Sequence, residues 1–121
     1  MTKRILLVED TEDNRQLVRD LVTSAGYELI EAPDGHSGVS MAAQCKPDLI
    51  LMDIQLPVMD GYEATRRIKA NPELRATPII AVTSYALSGD EAKARDAGCD
   101  GYVAKPFSPR LLLAKIAEFI S

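Results

Sequence analysis

Asp48-Leu49-Ile50-Leu51-Met52-Asp53 is the stretch that decides the fold. Four apolar residues run unbroken into a carboxylate, and Ile54-Gln55-Leu56-Pro57 follows. The run is too short for a typical helix and has no polar alternation. It therefore reads as a strand buried on both faces. Asp53 stands where that strand leaves the sheet. In open parallel sheets, chemistry collects at the carboxyl ends of strands. Asp53 is thus the candidate reactive residue, and the rest of the chain is read for what could hold it, charge it and report its state.

Working outward, Ile5 to Val8 is a second apolar run that ends in Glu9-Asp10. Thr11 or Asp13 can cap the helix after it, which carries Leu17, Val18, Leu21 and Val22 on one face and stops at Gly26. Tyr27 to Ala32 alternates apolar and polar, the pattern of a strand nearer a sheet edge. Pro33-Asp34-Gly35 is turn chemistry, and a helix over His36 to Gln44 stops before Pro47. Downstream of Asp53, Leu56 to Gly61 is a loop, and the helix after it ends at Asn71-Pro72. Pro78 to Val82 is a fourth buried strand ending in Thr83-Ser84. A helix starts near Ser88-Gly89-Asp90 and closes at Gly98. Gly101 to Ala104 is a short fifth strand ending in Lys105-Pro106. Ser108-Pro109 is an N-cap followed by proline at the first helical position, and the last helix shows Leu112, Leu113, Ile116, Ala117 and Ile120 on one face. Five strands alternating with five helices predict an α/β fold, a parallel sheet between helix layers, in one domain over residues 1–121.

Composition narrows the function classes. The chain has 121 residues, 46% hydrophobic and 26% charged, which suits one soluble domain and excludes a disordered chain. A formal charge of -4 disfavours a nucleic-acid partner, which needs a basic stripe. No apolar run reaches membrane-spanning length, and Lys3-Arg4 leads into only four apolar residues, so no secretion signal is read. Cys45 and Cys99 lack metal-ligand spacing and read as reduced thiols of a cytoplasmic protein. Met41, Met52 and Met59 read as gap fillers, and His36, the one histidine, as a surface residue. Without a second candidate base, Ser-His-Asp and Cys-His catalysis are not expected.

Four of the five strands end in a reactive polar residue: Glu9 and Asp10, Asp53, Thr83, and Lys105. Singly, each has a plain structural reading as a turn or a cap. Together they converge only if all strands are parallel, since neighbouring strands lie about 4.8 Å apart and their ends share one edge. Three crowded carboxylates repel one another unless a cation sits among them. An oxygen-rich site with room for water suits magnesium, with ligands at about 2.1 Å. Lys105 offers a cation and Thr83 a hydroxyl to a phosphoryl group, so the set fits phosphoryl transfer onto the Asp53 carboxylate.

At these residues the chain resembles the receiver domain of two-component response regulators, of the single-domain, DivK-like type. The matching pieces are Leu7-Val8-Glu9-Asp10, Pro47 to Asp53, Leu56-Pro57-Val58-Met59-Asp60-Gly61, Pro78 to Thr83 and Tyr102-Val103-Ala104-Lys105-Pro106. The resemblance implies a flavodoxin-like (βα)5 sandwich with strand order 2-1-3-4-5. It implies that Asp10, Asp53 and the backbone carbonyl of Gln55 hold magnesium (or manganese), with Glu9 acting through a metal-bound water. Asp53 would take a phosphoryl group from a histidine kinase or a histidine phosphotransfer protein. Lys105 would pair with the phosphoryl oxygens, Thr83 would turn toward them, and Tyr102 would follow inward. Helix 4, strand 5 and helix 5 would then present a changed surface to a downstream protein. Gln55 and Tyr85 occupy the variable positions by which the family sets hydrolysis rate, and Tyr85 is large enough to shield an acyl phosphate. The chain ends at Ser121, after the last helix, so its output is expected to be binding or onward phosphoryl transfer, as a monomer or a phosphorylation-dependent dimer.

Two other classes are weighed against this. An aspartate-nucleophile phosphohydrolase needs a second acid two residues after the nucleophile, where this chain has Gln55. A conventional enzyme is therefore not expected. A flavin or nucleotide binder needs a glycine-rich phosphate loop after strand one, where Glu9-Asp10 would repel phosphate.

Overall fold

A computed structural model of the protein describes residues 2–83, 90–105 and 108–120. Ser84, Tyr85 and the Ser88-Gly89 helix start lie outside the described residues. The elements are β1 (Arg4–Val8), α1 (Glu12–Ser24), β2 (Glu28–Ala32), α2 (Gly35–Cys45), β3 (Leu49–Asp53), α3 (Gly61–Ala70), β4 (Ile79–Thr83), α4 (Asp90–Ala97), β5 (Gly101–Ala104) and α5 (Pro109–Ile120). All pairings are parallel, in the order β2-β1-β3-β4-β5. The central strand β3 is buried at every position, while β2 takes an edge with a half-exposed pattern.

The two-residue period of β3 splits the core. Leu49 and Leu51 pack with Val18, Val22, Leu112 and Ile116 of α1 and α5. Ile50 and Met52 pack with Ala64 and Ile68 of α3, with Ala42 of α2 and with Ala94 of α4. That division is why an unbroken apolar run is needed: a sheet covered on both sides has no polar face. Leu17, placed in the apolar stripe of α1 by its spacing, is instead 59% exposed, while Val18, Leu21 and Val22 make the contact with the core.

Capping fixes where the helices begin. Thr11 is the N-cap of α1 but makes no side-chain cap bond; Glu12 and Asp13 in the first turn complement the helix dipole instead. Asp34 accepts from the Ser37 amide and starts α2 at Gly35, one residue before the expected His36. Asp60 accepts from the Glu63 amide and starts α3. Ser108 caps α5 by accepting from the Leu111 amide at 3.0 Å. Gly26, just past α1, has φ +96, the left-handed geometry that glycine supplies at a helix end. No helix among the described residues is long and apolar enough to cross a membrane.

Candidate functional site

The strand ends meet as parallel pairing requires. Val8 and Met52 are register partners, so Glu9 and Asp53 leave adjacent strands side by side. Asp53 pairs with Val82, and Thr83 pairs with Ala104, which brings β4 and the residue before Lys105 to the same edge. Glu9, Asp53 and Thr83 are buried polar residues in an otherwise apolar interior, while Asp10 stands exposed beside them.

One carboxylate oxygen from each of Glu9, Asp10 and Asp53 can be chosen so that all three lie within 4.8 Å of one another. Lys105 Nζ donates to Glu9 Oε1 at 2.9 Å and lies 3.7 Å from Asp53 Oδ2. The Thr11 amide donates to Glu9 Oε2 at 3.1 Å, and the Gln55 amide donates to Asp53 Oδ1 at 3.0 Å. The Gln55 side-chain amide donates to the Thr83 hydroxyl. The Lys105 amide donates to the Thr83 carbonyl at 2.6 Å, tying the ends of β4 and β5 together. Tyr102, on β5 opposite Ala81, is half-buried against the core on the α2, α3 and α4 side. A cavity of about 360 Å³ adjoins the site on the other side of the sheet, floored by Leu7, Val18, Leu51 and Leu112, with Glu9, Asp53 and Lys105 also on its wall.

The electrostatics separate the three acids. Burial pushes the Asp53 carboxyl up to about 6, and the neighbouring Glu9 charge adds to the rise against the pull of Lys105. Burial acts on Glu9 in the same direction. There the hydrogen bonds from Lys105 and the Thr11 amide, with the Lys105 charge, outweigh it and hold the carboxyl below its usual range. Asp10 is raised, first by partial burial and then by sharing a hydrogen bond with Glu9. This donor set fits a divalent cation: hard carboxylate oxygens in close approach, with negative charge that Lys105 offsets only in part.

All the acids expected from sequence, with Thr83 and Lys105, therefore come together; Tyr85 lies outside the described residues. Sequence reasoning missed two contacts. It assigned the Gln55 side chain to tuning without anticipating its bond to Thr83. It also named no partner for Lys105 within the protein, where the lysine is engaged by Glu9. A count of charges at the strand ends, one lysine against three acids, could have flagged the second.

Comparison with known proteins agrees. Residues 5–117 match the family profile of the response regulator receiver domain. The polar-differentiation response regulator DivK of Brucella ovis is 48% identical over 120 residues, covering 99% of this chain and 98% of that protein. Among solved structures, the chemotaxis protein CheY4 of Vibrio cholerae superposes with a TM-score of 0.94 at 28% identity, covering 99% of this chain and all of that one. The receiver domain of a sensor histidine kinase from Pseudomonas aeruginosa, which has a magnesium ion coordinated in its active-site cleft, gives 0.92 at 41% identity over 99% of this chain and 98% of that one. Carried by the five-strand order, the convergent acids and these matches, the conclusion is that the chain belongs to the response-regulator receiver family of two-component signalling.

Proposed function

We propose that the protein is a phosphorylation-controlled switch in which Asp53 accepts a phosphoryl group from a phosphohistidine on a histidine kinase or histidine phosphotransfer protein. The observation that carries this reading is the placement of a buried carboxylate, Asp53, with a second acid and one lysine beside it at the mouth of a parallel sheet. An Asp53 oxygen attacks phosphorus, the bond from phosphorus to the donor imidazole nitrogen breaks, and the electron pair stays on that nitrogen. Asp53 attacks as its carboxylate, which needs no general base to remove a proton.

Asp10, Asp53 and the Gln55 carbonyl would hold magnesium, or manganese in its place, with Glu9 reached through water. When bound, the cation supplies positive charge against the carboxylates and the incoming phosphoryl oxygens. Lys105 is already poised between Glu9 and Asp53, and a shift of its Nζ toward Asp53 would bring it onto the phosphoryl group. Thr83 donates its hydroxyl to the same group, and Tyr102 follows inward from β5. The surface of α4, β5 and α5 changes with them and is read by a downstream protein. Chemistry here serves the switch: the protein assists its own phosphorylation and dephosphorylation and turns over no separate substrate. A cytoplasmic location follows from the phosphohistidine donor.

Incubation with magnesium and acetyl phosphate, read by intact mass, tests this. The wild type gains one phosphoryl group and Asp53→Asn gains none. Modification of both, or of neither, refutes the assignment.

A further inference from the structure

Glu9 is held at four points. Its amide donates to the Ala32 carbonyl at 3.0 Å, its two carboxylate oxygens accept from Lys105 and the Thr11 amide, and its carbonyl accepts from Arg15 Nη1 at 2.8 Å. The last contact comes from a side chain outside the acidic cluster. Arg15 sits on the first turns of α1 and is only 16% exposed. Its guanidinium also reaches Glu12 Oε2 through Nη2 at 2.6 Å and Glu31 Oε1 through Nε at 3.5 Å. One rigid plane thus ties the backbone of Glu9 to the helix that follows it and to the edge strand β2. Arg19 shares the same two acids but makes no contact with the Glu9 carbonyl.

We propose that Arg15 is a positioning residue of the divalent-cation site, which clamps the β1–α1 turn so that Glu9 and Asp10 stay close to Asp53 against their mutual repulsion. The proposal rests on the cation reading of that cluster. It uses a property special to arginine: three acceptors in different directions are met by one planar fork, which a lysine ammonium on a flexible stem does not reproduce. Partners one step behind the ligands commonly change metal affinity by about tenfold or more. The sign separates clamping from charge. Removing a nearby positive charge favours a cation, so a charge effect alone tightens magnesium binding, whereas loss of the clamp weakens it.

Magnesium titrations followed by amide NMR at Thr11 and Gln55 decide between them, on wild type, Arg15→Met, Arg15→Lys and Arg19→Met. Arg15→Met is expected to bind about tenfold more weakly. Arg15→Lys keeps the charge and still weakens binding several-fold. Arg19→Met breaks the same ion-pair network yet stays close to wild type. Amide dispersion in the same spectra reports whether each variant is folded, and Arg15→Lys carries the test if Arg15→Met is not. Equal affinities for Arg15→Met, Arg15→Lys and wild type, tighter binding by Arg15→Met, or an equal loss in Arg19→Met overturns the proposal while leaving the cation site standing. A wild type with no saturable response removes the cation reading and the proposal with it.

Discussion

Asp53→Asn tests the electrostatic cost of the site, because the substitution keeps the shape of the side chain, removes its charge and turns one acceptor oxygen into a donor amide. In the folded protein the Asp53 carboxyl is pushed up to about 6, from an ordinary value of 3.8. The difference is about two pH decades, and at about 1.4 kcal/mol per decade it amounts to about 3 kcal/mol. Its sign follows from linkage. The folded value lies above the unfolded one, so the folded state favours the protonated form. The contribution of Asp53 to stability is complete below pH 3.8 and is lost as pH rises through 6. At neutral pH the ionised carboxylate is therefore a net strain on the fold.

Asparagine escapes that penalty but aligns imperfectly with the Gln55 amide and Lys105. The net gain at pH 7 in metal-free buffer is thus expected at about 2 kcal/mol, or about 5–10 °C in Tm. Urea unfolding of both proteins in EDTA at several pH values measures it. The other titrating groups are shared, and Glu9, whose charge acts on Asp53, shifts with it, so the difference between the curves reports position 53 together with its coupling to Glu9. It should be small near pH 4, grow through pH 6 and level off above pH 7. A flat difference across that window, or an Asn variant no more stable at pH 7, would refute the electrostatic account. Magnesium should then stabilise the wild type more than the variant, since only the wild type has the full carboxylate set to gain from binding.

Lys105→Met removes the partner of Glu9 at 2.9 Å and leaves that buried carboxylate uncompensated; the expected loss is about 2 kcal/mol by urea unfolding at pH 7, shrinking as pH falls and Glu9 protonates. Gly61→Ala would place a Cβ 2.3 Å from the Asp53 carbonyl oxygen and 2.7 Å from the Ile54 Cα, both backbone atoms. A cost of about 3 kcal/mol is expected, with slowed phosphorylation by acetyl phosphate as the loop after β3 shifts. Val58 is a β-branched residue at φ +68 and is 98% exposed, so Val58→Asn relieves backbone strain without losing packing. Thermal unfolding should show a gain of about 1 kcal/mol, and a loss would mean that the valine makes a contact the geometry does not reveal.

The fold was legible because its strongest signals are local. The run Leu49 to Met52 can be satisfied only by burial on both faces, and helices between the apolar runs force parallel pairing. Once pairing is parallel, Asp10, Asp53, Thr83 and Lys105 fall on one edge of the sheet; their adjacency needs the order β2-β1-β3-β4-β5, which only the family resemblance implied. The helix starts were less visible. Asp34 and Asp60 cap α2 and α3, yet each lies in a turn-forming cluster where aspartate has several possible uses. Leu17 fits the apolar period of α1 but faces solvent, since periodicity gives the width of a stripe and not how much of it the sheet will cover. The Arg15 and Gln55 contacts were not legible at all. Each depends on the path of a long side chain across elements, and spacing along the chain carries no record of that path.

The choice of partner by the one lysine determines how the acids divide their work. Lys105 could pair equally with Glu9 or Asp53, and it lies closer to Glu9. That preference holds Glu9 ionised below its usual range, and the ionised Glu9 in turn raises its neighbour. Asp53 is left with the longer lysine contact, its carboxyl raised by burial and by the neighbouring Glu9 charge. Were the lysine seated on Asp53, its charge would stabilise the ground state of the attacking group and make it less reactive. Seated on Glu9, it lies farther from the nucleophile, 3.7 Å from Asp53 Oδ2. Under the proposed function, the same ammonium would move to the phosphoryl group once negative charge arrives there.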